Sequence, residues 1–272
     1  QIEVAQADVE VDDRDALAAT RAALATEGID IRQTIGEVVA SCDVVILSLP
    51  TAAIVEDVVA CPEGILANAR RGVLVIDTST SHPDTTRRLA TKLEAAGMKM
   101  LDAPVSGGPK GAITGTMAMV IGGDASDLAR AEPILAAMTS KRVHVGAIGA
   151  GHVAKIANNL FAAAHLLVAG EVTRMAKEAG VPTEQLLQGI NAGSGRSFIT
   201  EHSFPTWIMN DKFDSGFTMK LMRKDVRLSQ ELIGALGVDL PLSAKVAELW
   251  AKSVETIADD EDFNRIVELG TR

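Results

Sequence analysis

Val44-Val-Ile-Leu47 and Val73-Leu-Val-Ile76 are short, uninterrupted β-branched and aliphatic runs, and each gives way to polar or turn residues and then to a helical pattern. Runs of four apolar residues bounded in this way suit strands buried on both faces, which is the position of strands in a parallel sheet. The intervening segments, Asp15 to about Glu27, Ala52 to Val59 and Pro83 to about Ala96, carry helix-type periodicity, and Ser79, Thr80 and Ser81 stand as candidate capping hydroxyls before the last of them. Strands at Met98–Leu101, Met117–Ile121 and near Arg142–Val145, with a helix at about Ser126–Met138, continue the alternation. The fold class expected is α/β, a doubly wound sheet domain over residues 1–148 followed by an all-α domain over 149–272. Val153 to Gly180 reads as one long apolar helix stopped by Gly180 and Pro182, and Thr183–Ile190, Ser197–Met209, Met219–Leu236, Ser243 to about Thr256 and Asp262–Leu269 follow as helices.

Composition narrows the function. Aromatics make up 3% of the 272 residues and tyrosine is absent, so stacking platforms for nucleobases are nearly missing. A net charge of −10 opposes binding to nucleic acid and to anionic membranes. Cys42 and Cys61 have no redox or metal-ligand spacing and read as buried thiols in a reducing, cytoplasmic setting. His82, His144, His152, His165 and His202 are too dispersed in sequence to suggest a metal site. No apolar run approaches about 18 uninterrupted residues.

Two segments carry candidate chemistry. In Gly149-Ala-Gly-His-Val-Ala-Lys155-Ile-Ala-Asn158-Asn159, a helix puts Lys155 and the Asn159 amide on one face. A lysine early on an apolar helix is desolvated, which lowers its pKa toward the range useful for proton exchange. The alternative is a lysine that snorkels to solvent. In Asp102-Ala-Pro-Val-Ser106-Gly107-Gly108, one hydroxyl and two accessible backbone amides suit a small carboxylate, with an ordinary glycine turn as the bland alternative.

Together these segments resemble the β-hydroxyacid dehydrogenases, the group of 3-hydroxyisobutyrate, tartronate-semialdehyde and related dehydrogenases, over nearly the whole chain from about Val9. The resemblance implies a Rossmann-like domain, an NAD or NADP cofactor, a small anionic hydroxy-acid substrate and a homodimer or homotetramer. It makes Lys155 the general acid/base and Asn159 the substrate-holding amide, supported by Asn158. Ser106, Gly107 and Gly108 become the carboxylate site. Leu49, Pro50 and Thr80 match cofactor contacts, although Thr80 could equally cap a helix, and Lys224 matches a lysine against the nicotinamide. Arg196, in Ser194-Gly-Arg-Ser197, is a candidate for a second anionic group on the substrate. Asp13, at what reads as the end of the second strand, suits the ribose hydroxyls and favours NAD, while Arg14 beside it could pair with a 2′-phosphate.

One expected element is missing from the sequence. No strand runs into G-x-G-x-x-G, and the opening residues start roughly 15 to 30 residues into the pattern, judged against a unit of about 30. Truncation is the favoured reading. The alternatives kept open are an imine or longer 3-hydroxy-acid reductase and a catalytically silent dimerisation module.

Overall fold

The computed structural model describes residues 3–4 and 21–270 and divides the chain into two compact units, Gln1–Ser106 with Thr114–Val153, and Gly107–Ile113 with Ala154–Arg272. The first unit is a mixed sheet with helices on both faces. Strands β1 (Glu3–Val4) and β2 (Asp30–Ile31) form a separate parallel pair. Strands β3 (Val44–Leu47), β4 (Leu74–Asp77) and β5 (Lys99–Asp102) are parallel and in continuous register, with Leu47 opposite Asp77 and Asp77 opposite Asp102. The carboxyl ends of three strands therefore align.

Beyond β5 the sheet departs from simple alternation. Strand β7 (Met117–Gly122) runs antiparallel to β5 and to the short β6 (Val105–Ser106), and β8 (Thr139–Gly146) returns parallel to β7. The reversal follows from the short link: parallel neighbours need a crossover of a dozen or more residues, and the chain between β6 and β7 holds only one seven-residue helix.

Strand β4 explains its own apolar run. Val75 packs in a core with Val39, Val55, Val59, Leu89 and Leu93, whereas Leu74 and Ile76 pack in another with Leu101, Met119, Ala131 and Leu135. Alternate side chains thus serve opposite layers, so no position in the strand can be polar until Asp77. Residues 21–26 are helical, and they are followed by α1 (Ile35–Val39), whose capping box pairs Thr34 and Glu37, α2 (Ala52–Ala60), α3 (Ile65–Asn68) and α4 (Pro83–Ala95). Helix α4 is capped by His82, whose ring accepts from Asp84 N–H; the hydroxyls of Ser79, Thr80 and Ser81, expected to cap it, do not. Helix α5 (Gly108–Thr114) replaces the open glycine turn expected there, and α6 (Ala125–Met138) covers the second core.

The second unit is helical. Helix α7 (Ala150–Glu178) begins in the first unit and supplies most of its length to the second. By length and composition it could cross a bilayer, but its buried side, with Ala163, Leu166 and Leu167, meets Trp250, Met222, Val226 and Ile266. Trp250 is fully buried and donates from its indole to the Ala163 carbonyl at 3.2 Å. Helices α8 (Thr183–Ala192), α9 (Met219–Leu236) and α10 (Pro241–Lys252) complete the bundle, with a π-helical segment at Ile199–Ile208 and 3₁₀ turns at Ser253–Glu255 and Phe263–Glu268. Cys42 and Cys61 form no disulfide.

Where α7 starts, backbone approaches backbone. A Cβ on Gly151 would lie 2.5 Å from the Asp102 carbonyl oxygen and 2.8 Å from that of Val120, both rigid main-chain atoms. Gly189, exposed within α8, has nothing within 4 Å. Gly151→Ala should cost about 1–3 kcal/mol through overpacking, whereas Gly189→Ala should stabilise by about 0.5–1 kcal/mol through helix propensity. Thermal unfolding of the two variants checks the opposite signs; equal shifts would contradict the close approach.

Candidate active site

In the first unit the aligned strand ends gather polar groups that the core has excluded. Asp77 and Asp102, the last residues of β4 and β5, are both fully buried. Asp102 accepts from the backbone N–H groups of Gly149 at 2.7 Å and His152 at 2.8 Å, so one carboxylate satisfies two of the otherwise unpaired donors where α7 begins. Burial raises the Asp102 pKa, and the neighbouring His152 and those two N–H groups oppose the rise.

Beside them lies the turn after β4. Thr78 hydroxyl donates to the Leu47 carbonyl at 2.7 Å, and Ser79 Oγ accepts from Leu49 N–H at 2.9 Å, which fastens the ends of β3 and β4 together. Thr80 follows, partly exposed, and its helix-capping alternative is removed because His82 is the cap. Leu49, Pro50 and Thr80 thus occupy the carboxyl edge of adjacent parallel strands, the location where open α/β sheets take dinucleotides. Among the described residues no glycine-rich loop is present for a dinucleotide pyrophosphate. Asp13 and Arg14 lie outside the described residues; the strand described in that region is Glu3–Val4.

The second unit holds the other cluster. Lys155, on α7, is only 9% exposed, and Asn159, one turn further on, is 5% exposed. Asn158 Nδ2 donates to Asn159 Oδ1 at 3.1 Å, and Asn159 Nδ2 donates to Asp225 Oδ2 at 2.5 Å. The amide orientation is therefore dictated by its neighbours: only the nitrogen can face a carboxylate. Lys224 Nζ stands 3.1 Å from Asp225 Oδ1 and is partly exposed. Burial lowers the Lys155 pKa from its ordinary value; Asp225 acts to raise it, and Lys224 acts with burial.

Asp225 was not foreseen from the sequence. The signal that could have revealed it is an acid directly after the candidate Lys224 on an amphipathic helix; in the structure it is 2% exposed.

Ser106 closes β6 in the first unit, whereas Gly107 and Gly108 belong to the second and have φ of 135° and 61°. Such values suit glycine, and both residues are exposed. Arg196 is exposed in the loop between α8 and the π-helical segment. Lys110 is exposed, and Thr116 hydroxyl is bonded to that of Thr114 at 2.6 Å. Among the described residues no three His, Cys, Asp or Glu side chains group as metal ligands.

Comparison with known proteins identifies the family. Residues 1–149 match the family described as the NAD binding domain of 6-phosphogluconate dehydrogenase, and residues 149–269 match the NAD-binding domain of NADP-dependent 3-hydroxyisobutyrate dehydrogenase. A probable 3-hydroxyisobutyrate dehydrogenase of Mycobacterium tuberculosis is 36% identical over 249 residues, covering 89% of this chain and 83% of the relative. The 2-(hydroxymethyl)glutarate dehydrogenase of Eubacterium barkeri is 31% identical over 255 residues, covering 94% and 85%. The solved structure of Mycobacterium tuberculosis 3-hydroxyisobutyrate dehydrogenase with L-serine superposes with a TM-score of 0.85 at 35% identity, covering 92% of this chain and 87% of that one. With both halves matched and the fold shared, the chain belongs to the β-hydroxyacid dehydrogenase family and is an NAD(P)-dependent oxidoreductase.

Proposed function

We propose that this protein interconverts a small β-hydroxy acid and its semialdehyde, with Lys155 as the general acid/base. The observation that carries the reading is a lysine nine-tenths buried, its pKa lowered by that burial, one helical turn from an amide whose orientation is held from both sides. The compounds named with the relatives, 3-hydroxyisobutyrate, 2-(hydroxymethyl)glutarate and L-serine, share the pattern HOCH2–CH(R)–COO⁻. The reacting carbon is then a primary alcohol and the product an aldehyde.

In the oxidative direction Ser106 and the amides of Gly107 and Gly108 hold the carboxylate. Asn159 keeps one N–H and one lone pair beyond its contacts with Asp225 and Asn158, and these serve the substrate hydroxyl region. Lys155 Nζ, deprotonated, takes the hydroxyl proton as the C–H bond opens, and returns a proton in the reverse direction. Leu49, Pro50, Thr80 and Lys224 would hold the nicotinamide end of the cofactor, which when bound would supply the hydride acceptor or donor. Asp13 is assigned to the ribose in NAD and Arg14 to a 2′-phosphate in NADP. Arg196, exposed, suits a substrate whose R group ends in a second carboxylate. We place the enzyme in the cytoplasm.

Lys155→Ala should reduce kcat by about 10²-fold or more while cofactor affinity is nearly retained. Turnover on a panel of HOCH2–CH(R)–COO⁻ acids measures this, and an unimpaired variant removes the assignment. The pH profile gives a second check. Oxidation should rise with pH as Lys155 loses its proton, at a pH below the ordinary lysine value of about 10.4. Because Asp225 acts to raise the Lys155 pKa, Asp225→Asn should move this rise to still lower pH. A shift upward would contradict the electrostatic account.

Association through α7 completes the reading. Phe161, Val168 and Met175 recur at seven-residue spacing and are 67%, 51% and 65% exposed, an apolar stripe suited to a second copy of the same helix. Phe161→Glu combined with Val168→Glu should convert a dimer or tetramer to a smaller species by light scattering. An unchanged mass would place the interface elsewhere.

A further inference from the structure

His152 is wholly buried, yet both ring nitrogens are engaged and the proposed chemistry makes no use of it. Nε2 lies 3.0 Å from the Ser79 carbonyl oxygen. A carbonyl can only accept, so Nε2 carries a hydrogen in any arrangement that satisfies the contact. Nδ1 lies 2.8 Å from Thr86 Oγ1, which is itself 3.2 Å from the carbonyl of His82, the cap of α4. Two carboxylates flank the ring, Asp77 Oδ2 at 3.8 Å from Nε2 and Asp102 Oδ2 at 3.8 Å from Nδ1. A ring desolvated this fully is tolerated because each nitrogen has a partner, and the partners specify one orientation.

Ser79 is the centre of this arrangement. Its N–H donates to Asp77 Oδ1 at 3.0 Å, its hydroxyl accepts from Leu49 N–H, and its carbonyl accepts from His152. Every polar group of the residue is used to hold the turn that leads into Thr80. On the other side, the backbone N–H of His152 is held by Asp102, so the residue is fixed through its main chain and its ring at once.

We propose that His152 is a positioning residue for the reaction: its ring ties the Ser79–Thr80 turn to the first turn of α7, on which Lys155 follows three residues later. It touches no reacting atom. It acts by setting the turn that presents Leu49 and Thr80 and by fixing the start of the helix that carries the lysine. The inference rests on the assignment of Thr80 to the cofactor and of Lys155 to proton transfer.

The test is steady-state kinetics with NADH, NADPH and their oxidised forms, using the hydroxy acid of highest turnover. His152→Ala should raise the cofactor KM and lower kcat, with the combined loss about tenfold to a hundredfold. His152→Gln, whose side-chain amide can donate to the Ser79 carbonyl, should recover most of the KM. A role confined to stability would lower the unfolding temperature of both variants and leave KM and kcat of the folded enzyme unchanged, and that result overturns the proposal. Should His152→Ala fail to fold, ¹⁵N NMR of histidine-labelled wild-type protein decides: hydrogen on Nε2 is expected, and a ring protonated on Nδ1 alone overturns it. Lys155→Ala run in parallel separates the two claims. Full turnover there sinks the catalytic reading, whereas an inactive Lys155→Ala beside a kinetically normal His152→Ala sinks only the positioning role.

Discussion

The carboxylate of Asp102 is the constraint on which the rest depends. It ends β5 in the interior, and its two oxygens take the backbone N–H groups of Gly149 and His152. Removing an acid from water is costly, and here the compensation comes from two main-chain donors and the positive end of a 29-residue helix. The same contact demands that helix and strand backbones nearly touch, which is why Gly151 and Gly122 leave no room for a Cβ near Asp102. A buried acid, two glycines and a helix start are thus one feature of the fold.

From that anchor the candidate site residues follow by short covalent steps. Lys155 and Asn159 stand one and two turns into α7, and the amide is then locked by Asn158 and Asp225. On the sheet side, the register of β3 with β4 sets Leu47 opposite Asp77, so the residues just beyond, Leu49 and Ser79, can bond and present Thr80. In β3 and β4 the apolar run is unbroken until the carboxyl end, where Asp77, Thr78 and Ser79 follow. Polar groups gather at that edge because the layers above and below β4 leave no place for them within it.

Much of this was legible in the amino-acid order, and what was not has a common cause. The runs at Val44–Leu47 and Val73–Ile76 and the long apolar helix beginning near Val153 announce themselves through local periodicity, which depends only on neighbours in sequence, and the structure places strands at Val44–Leu47 and Leu74–Asp77 and the helix at Ala150–Glu178. Non-local pairing does not. The antiparallel course of β6 and β7, the capping of α4 by His82 in place of the hydroxyls before it, and the short helix at Gly108–Thr114 are settled by partners far along the chain or by tertiary fit. Within the candidate site, Lys155 and Asn159 were visible as a spaced pair, whereas Asp225 is linked to them across 66 residues and gave no local sign beyond its burial on α9. Asp102 stood in the quoted motif without a role, because the donors it serves lie about fifty residues later.

The most direct test of the central claim is a crystal structure of the enzyme with NADH and L-serine or 3-hydroxyisobutyrate bound together. Lys155 Nζ is expected within hydrogen-bonding distance, about 2.6–3.2 Å, of the substrate hydroxyl, with the carboxylate on Ser106, Gly107 and Gly108. A hydroxyl directed to another side chain, with Lys155 left without contact to the substrate, would contradict it.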